Sequence, residues 1–211
     1  MTLDFLDDQF SSIELGPGAF LFNRFATNDE KDILQALSDI TSKAPPRRMQ
    51  TPGGYQMSVA MTSCGEGGWV SDHLGYRYEK TDPITKTPWP KMPQVFKALS
   101  INAATKAGYA NYNPDTCLIN VYEPGAKMSL HQDKNEDLNQ PIVSLSLGLS
   151  ATFQLGGPVK TDPIQKISLH HTDVLVFGGP SRLCYHGILP LKKGEHFLLG
   201  PRRINLTFRK I

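Results

Sequence analysis

Between residues 116 and 209 the chain changes polarity with a period of two, in one short segment after another. In 116–122, Thr116, Leu118, Asn120 and Tyr122 fall on one side, and Cys117, Ile119 and Val121 on the other. Val143, Leu145, Leu147 and Leu149 alternate with Ser144, Ser146, Gly148 and Ser150, and Ile204, Leu206 and Phe208 alternate with Arg203, Asn205, Thr207 and Arg209. Extended backbone repeats every two residues, so each segment has one face made for a core and a second of different chemistry. Residues 174–177, closed by Gly178-Gly179-Pro180, and residues 183–188 add two shorter strands. Turns separate these segments and no helical period intervenes, which predicts a β-sandwich or jelly roll. The 18 glycines and 16 prolines suit that turn-rich architecture. A chain of 211 residues is enough for one well-buried core and short for two enzyme domains.

Two helices are expected upstream. Thr27 as cap, Glu30 in capping-box position and the stripe Ile33, Leu34, Leu37 and Ile40 predict a helix over 27–42, stopped by Pro45-Pro46. Pro93 near a start, with Val95, Phe96, Leu99 and Ala103 inward and Gly108 closing the end, predicts a second over 93–107. Between them, residues 45–92 hold both tryptophans, three of the seven tyrosines and several turn signals. Met57, Val59 and Met61 alternate with Ser58, Ala60 and Thr62, which predicts a strand after the Gly53-Gly54 turn. Such an aromatic stretch reads as a stacking surface for a planar ligand or as a small satellite core.

Bulk charge selects no partner. The formal net charge is +2, so any nucleic-acid footprint must be local. The basic pairs Arg47-Arg48, Lys192-Lys193, Arg202-Arg203 and Arg209-Lys210 read equally as solvated surface. Cys64, Cys117 and Cys184 are odd in number and widely spaced, which fits a reducing compartment better than a disulfide framework. Residues 1–10 carry three aspartates and no basic residue, unlike a signal peptide. No apolar run approaches the roughly 18 residues of a membrane span. A cytoplasmic protein is expected.

The polar face of 203–209 is unusual, because two guanidiniums and an amide on one strand face suit a compact dianion such as a dicarboxylate. His131 and Asp133 stand at strand spacing, so both can reach one ion. The third ligand is chosen among His73, His170, His171, His186 and His196. His186 is preferred because Tyr185-His186-Gly187 falls inside an expected strand and Gly187 would leave room beside a metal. Two imidazoles, one carboxylate and an anion receptor suggest non-haem Fe(II) chemistry with a dicarboxylate co-substrate. A cupin-like protein holding a metal without redox chemistry would leave the arginines idle, and a non-catalytic single-strand binding module would leave the metal residues dispensable.

The runs Asn120-Val121-Tyr122-Glu123-Pro124-Gly125-Ala126-Lys127, His131-Gln132-Asp133-Lys134, Tyr185-His186-Gly187-Ile188 and Arg203-Ile204-Asn205-Leu206-Thr207-Phe208-Arg209, with Thr51-Pro52-Gly53-Gly54-Tyr55 and Pro88-Trp89-Pro90, resemble the bacterial AlkB-type dioxygenases. The likeness runs from about residue 20 onward. It implies a mixed α+β, mainly β fold: a double-stranded β-helix (jelly roll) core with flanking N-terminal helices and a nucleotide-recognition lid. The domain would comprise an extension and helix over 1–44, the lid over 45–92, and a supporting helix with the catalytic core over 93–211. It further implies that His131, Asp133 and His186 ligate Fe(II), and that Asn120, Tyr122, Arg203, Asn205 and Arg209, with Ser144 nearby, hold 2-oxoglutarate. Thr51, Tyr55, Met57, Val59, Trp69 and Tyr76 would form the lid, Trp69 and His131 would sandwich a flipped base, and Leu118 would line its pocket.

The implied activity is oxidative demethylation of bases such as N1-methyladenine and N3-methylcytosine. It would act in single-stranded or damaged DNA, with RNA also to be tested, and convert 2-oxoglutarate and O2 to succinate, CO2 and formaldehyde. A monomer is expected. The same machinery acting on RNA, a protein or a small molecule is the nearest alternative. One departure stands out: the bacterial branch has an acidic residue after His-Gln-Asp-Lys, where this chain has Asn135. An amide there removes a favourable charge interaction with a cationic base, which bears on base preference.

Overall fold

The computed structural model describes residues 11–211, and the reading of residues 1–10 lies outside them. In chain order the elements are β1 (Ser12–Gly16), β2 (Ala19–Phe22), α1 (Glu30–Lys43), β3 (Arg47–Gln50), β4 (Gln56–Gly65), β5 (Gly68–Asp72), β6 (Gly75–Glu79) and α2 (Gln94–Lys106). There follow β7 (Thr116–Tyr122), β8 (Met128–His131), β9 (Ile142–Gly148), β10 (Ala151–Leu155), β11 (Gln165–Leu169), β12 (Val174–Phe177), a 3-10 turn (Gly179–Ser181), β13 (His186–Ile188) and β14 (Arg203–Arg209).

The strands build an eight-stranded sheet in the order β1-β2-β12-β9-β14-β7-β4-β3, a four-stranded sheet in the order β11-β10-β13-β8, and the separate hairpin β5-β6. From β7 onward the chain passes from the large sheet to the small one and back, so four strands of each wind around a common interior. That winding is a double-stranded β-helix, as expected. Every pairing is antiparallel.

β14 lies between β7 and β9 and is buried along its whole length, so its alternation separates two interiors rather than core from water. Ile204, Leu206 and Phe208 join Ile119, Val143, Leu145 and Leu147 against the buried faces of α1 (Ile33, Leu37, Ile40) and α2 (Phe96, Leu99, Ala103). The Phe96 and Phe208 rings meet edge to face at 5.9 Å. Each such aliphatic or aromatic side chain contributes about 1.5–3 kcal/mol by burial. The opposite face, with Arg203, Asn205, Thr207 and Arg209, looks into the space between the sheets.

Both helices form, with one local correction. α2 has Pro93 at its N-cap, and Gly108 just past its end takes φ +89°, where the Tyr109 N–H closes back onto the Ala104 carbonyl. α1, however, begins at Glu30 behind Asp29, and no side chain caps it. Thr27 Oγ1 instead donates to the Arg24 carbonyl at 2.8 Å and lies 3.0 Å from Thr172 Oγ1. Glu30 accepts from His171 Nε2 at 2.8 Å. The expected capping box is absent because tertiary partners from the β11–β12 turn engage both side chains.

Candidate active site

Three strands of the large sheet supply the floor of a cavity of about 780 Å³. Register places Arg203 opposite Tyr122, and Asn205 opposite Asn120 and Ser146. Asn205 Nδ2 donates to Ser144 Oγ at 2.7 Å and to the Leu145 carbonyl at 3.1 Å, while its Oδ1 accepts from Thr207 at 2.9 Å. The amide is therefore fixed from both ends. Arg203 is 1% exposed, lies over the Tyr122 ring at 5.0 Å and donates Nη2 to Ser146 Oγ at 3.1 Å. Its Nε and Nη1 meet no protein acceptor. A buried guanidinium with open donors is a strong anion receptor, since an unmet buried donor is costly until an acceptor arrives.

Arg209 lines the same cavity and is already partly engaged within the protein. Nη2 donates to Asp133 Oδ2 at 2.7 Å and Nη1 to the Tyr78 hydroxyl at 3.0 Å. Burial opposes its charge, yet Asp133 and the Tyr78–Glu136 pair hold it firmly protonated. Arg203 keeps two donors open on this strand, and Arg209 keeps one, its Nε.

The small sheet carries the imidazoles. His131 ends β8, His186 begins β13, and the two residues are register partners with rings 4.4 Å apart. The expected strand over 183–188 is shorter than foreseen, since residues 183–185 precede β13. Asp133 stands two residues beyond β8, not on extended strand as its spacing suggested. Between His186 and Ile188 the register slips, so that Gly187 faces a bulge in β8. A Cβ at Gly187 would stand 2.7 Å from the Met128 carbonyl oxygen. The glycine thus makes room for the neighbouring strand and not for a metal.

Each imidazole has one nitrogen committed. His131 Nδ1 lies 2.9 Å from the Ser129 carbonyl and His186 Nδ1 3.0 Å from the Cys184 carbonyl. A carbonyl only accepts, so both Nδ1 atoms carry the proton and both Nε2 atoms present a lone pair. Those atoms lie 3.7 and 3.8 Å from the two oxygens of Asp133. Burial pushes the His186 imidazolium down to about 4, which keeps the ring neutral. Burial pushes the Asp133 carboxyl up, but Arg209, with His186 and His131, outweighs it and holds the group well below the usual range. Two imidazoles with Nε2 turned toward an ionised carboxylate, all within 4.8 Å of one another, are a fit donor set for a divalent transition metal on one face of an octahedron. Among the described residues no other cluster of histidine, cysteine and acidic groups converges so closely.

The lid closes the cavity from the N-terminal side. Met57, Val59 and Met61 point inward from β4, and the β5-β6 hairpin brings Trp69 over Tyr76, with ring centroids 5.6 Å apart and planes 16° from parallel. Ser71 ties the hairpin to the Gln50 carbonyl at 2.6 Å, and Arg47 grips Asp82 with both Nη atoms. The cavity is lined by every residue singled out from the sequence: the metal triad, Asn120, Tyr122, Ser144, Arg203, Asn205, Arg209, Thr51, Tyr55, Met57, Val59, Trp69, Tyr76, Leu118 and Asn135. Three of the rival histidines go elsewhere: His170 bonds Ser150, and His171 lies against the tilted His196 ring and bonds Glu30. Asn135 is exposed, its amide 3.5 Å from the Tyr76 carbonyl. The sequence reading missed Gln132, whose amide holds the Pro158 and Leu183 carbonyls, the half-buried Tyr78, and the buried side chains of Glu136 and Arg182.

A triad of two imidazoles and a carboxylate in the cavity of a jelly roll, beside a buried receptor for a dianion, defines a non-haem Fe(II) oxygenase. The chain belongs to the 2OG-Fe(II) oxygenase superfamily, whose model matches residues 18–209. It is 55% identical over 197 residues to the alpha-ketoglutarate-dependent dioxygenase AlkB of Escherichia coli (strain K12), covering 93% of this chain and 91% of that protein. It is 34% identical over 161 residues to the DNA N(6)-methyladenine demethylase ALKBH1C of Arabidopsis thaliana, covering 64% of this chain and 35% of that one. The solved structure of OsALKBH1 superposes with a TM-score of 0.84 at 30% identity, over 95% of this chain and all of that one. The protein is an Fe(II)/2-oxoglutarate-dependent dioxygenase of the bacterial AlkB type.

Proposed function

We propose that this dioxygenase oxidatively demethylates N-alkylated nucleobases, of the N1-methyladenine and N3-methylcytosine type, in single-stranded or damaged DNA and also in RNA. One observation carries the reading: a single cavity joins the metal triad, the Arg203 receptor and the stacked Trp69–Tyr76 pair. A planar base resting on Trp69 is thereby brought toward the metal ligands.

His131, Asp133 and His186 would hold the iron. When bound, iron with 2-oxoglutarate and O2 supplies the oxidation of the methyl carbon, with succinate, CO2 and formaldehyde as products. Arg203 would take one carboxylate of 2-oxoglutarate on Nε and Nη1, with Asn120, Tyr122 and Asn205 alongside and Ser144 holding the Asn205 amide. Arg209 secures Asp133 and so orients the ligand carboxylate, a positioning effect. Thr51, Tyr55, Met57 and Val59 would complete the lid, Leu118 the pocket wall, and Asn135 its rim. Lys127 and Lys134 line the same cavity and suit phosphate pairing. Extruding a base costs a few kcal/mol, least where it is damaged or unpaired, and stacking returns about 1–3 kcal/mol. The balance favours single strands without a strongly basic protein.

The whole chain is read as one catalytic unit acting as a cytoplasmic monomer. No helix among the described residues is long and apolar enough to cross a membrane. The test is mass spectrometry of methylated DNA and RNA oligonucleotides after incubation with Fe(II), 2-oxoglutarate and air, with formaldehyde measured in parallel. Loss of one methyl with matching formaldehyde is expected. Succinate formation with every methylated oligonucleotide unchanged overturns the assignment in favour of a protein or small-molecule substrate.

A further inference from the structure

Three charged side chains lie buried around the metal ligand Asp133, and one neutral hydroxyl from the lid reaches into the group. Asp133, Glu136, Arg182 and Arg209 have side chains 9%, 3%, 3% and 7% exposed, so two positive and two negative charges balance out of water. Arg182 Nη1 donates to the Asp133 carbonyl at 2.8 Å, Nε to the Gln140 carbonyl at 2.9 Å, and Nη2 meets Glu136 Oε2 at 3.3 Å. The segment joining β8 to β9 is therefore gripped at both ends.

Tyr78 belongs to the lid hairpin and is the register partner of Trp69. Its hydroxyl donates to Glu136 Oε1 at 2.7 Å and accepts from Arg209 Nη1 at 3.0 Å. Arg209 in turn donates Nη2 to Asp133 Oδ2 at 2.7 Å, which leaves Oδ1 facing His131. Partners directly across a strand pair share one face, so Trp69, Tyr76 and Tyr78 move with the same hairpin face.

We infer that Tyr78 is a positioning residue that couples the nucleobase lid to the metal ligand Asp133, through Arg209 on one side and Glu136 on the other. A base seated on Trp69 and Tyr76 fixes the hairpin, and the hairpin's hydroxyl fixes the rotamer of Arg209 and with it the Asp133 carboxylate. Conversely, an ordered Asp133 holds the lid in its base-accepting position, because coupling between two sites is reciprocal. The nucleotide half of this inference rests on the proposed function, whereas the metal half does not.

The test uses the full chain with Co(II) as a spectroscopic probe and 2-oxoglutarate, in wild type, Tyr78→Phe and Glu136→Gln. Tyr78→Phe keeps the ring and removes only the hydroxyl, and unchanged circular dichroism establishes folding. Its Co(II) affinity is expected to fall about tenfold, the lower end for groups that orient a ligand from behind. Adding a methylated single-stranded oligonucleotide should shift the wild-type Co(II) bands, and that shift should be lost in Tyr78→Phe and weakened in Glu136→Gln. Wild-type Co(II) affinity in Tyr78→Phe overturns the inference. So does a wild-type spectrum that stays still while the oligonucleotide binds. An oligonucleotide that fails to bind wild type overturns the proposed substrate and the nucleotide half together, leaving the affinity measurement to decide the metal half.

Discussion

Arg203, Asn205 and Asn120 stand on adjoining strands in the middle of an eight-stranded sheet, with paired backbone on both sides and helices behind. Trp69 and Tyr76 stand on a two-stranded hairpin, and Tyr76 is 49% exposed. The floor thus receives its geometry from register, since moving one side chain would mean slipping a whole central strand. The hairpin pairs with no other strand and is held by Val70 in the core and by side-chain contacts, among them Ser71 to Gln50, Trp89 to the Glu79 carbonyl, and Tyr78 to Glu136 and Arg209. The two halves suit their ligands: a small invariant dianion needs a fixed receptor, while a base attached to a polymer needs a surface that can open. Elements with few buried contacts are where such opening is cheapest.

The largest expected break in this contrast comes from the triad. His186→Ala should lower Co(II) or Fe(II) affinity by more than about 100-fold, the upper end for changes merely behind the ligands, and abolish succinate formation. Retained metal affinity in a titration would mean that another group completes the site. On the floor, Arg203→Lys removes the open fork and should raise the 2-oxoglutarate requirement about 10–100-fold, the worth of charge-assisted hydrogen bonds of about 1.5–3 kcal/mol. Arg209→Lys should raise it only severalfold. Equal effects in a steady-state comparison would contradict the division of labour between the two arginines.

On the lid, Trp69→Ala should cut methylated-oligonucleotide turnover about tenfold, in keeping with stacking of about 1–3 kcal/mol per base. It should spare 2-oxoglutarate turnover without oligonucleotide, and matched losses would point to damaged folding instead. Acid should separate the regions more gently. The His186 imidazolium is pushed down to about 4 from an ordinary 6.5, so between those values the unfolded chain binds a proton that the folded chain refuses. Stability of the metal-free protein therefore falls as pH drops from 6.5 toward 4 and levels below, whereas a His186→Gln variant should lose that slope in denaturant titrations. The smallest effect is expected at the exposed rim. Asn135→Asp should raise selectivity for a cationic over a neutral methylated base about two- to threefold, the scale of a solvent-screened pair. Unchanged selectivity in a competition assay would remove Asn135 from base choice.

The floor was legible in the sequence because period-two alternation survives folding. Arg203, Asn205 and Arg209 had to share a face whatever packed around them, and only the identity of that face's surroundings (a cavity, not water) needed the fold. The resemblance to a known family brought in the lid residues, which periodicity alone left open between a stacking surface and a satellite core. Tyr78, Glu136 and Arg182 escaped both, being separated by 58 and 46 residues and joined only when the hairpin folds over the β8–β9 segment. Thr27 and Glu30 show the reverse error, a sound local capping pattern overridden by partners about 145 and 141 residues away. Gly187 was noticed correctly and explained wrongly, since spacing cannot reveal which neighbour a missing Cβ spares.

The unanswered donors of Arg203 have a bearing on the life of the protein as well as its chemistry. Burial lowers the proton affinity of this guanidinium, a sign that the fold by itself supplies no matching negative charge. Any small dianion that docks there reinforces the native state by mass action, by about 2.7 kcal/mol at a hundred times its dissociation constant. Melting temperature should therefore climb with added 2-oxoglutarate, so that the co-substrate of the reaction also acts as a fastening of the fold.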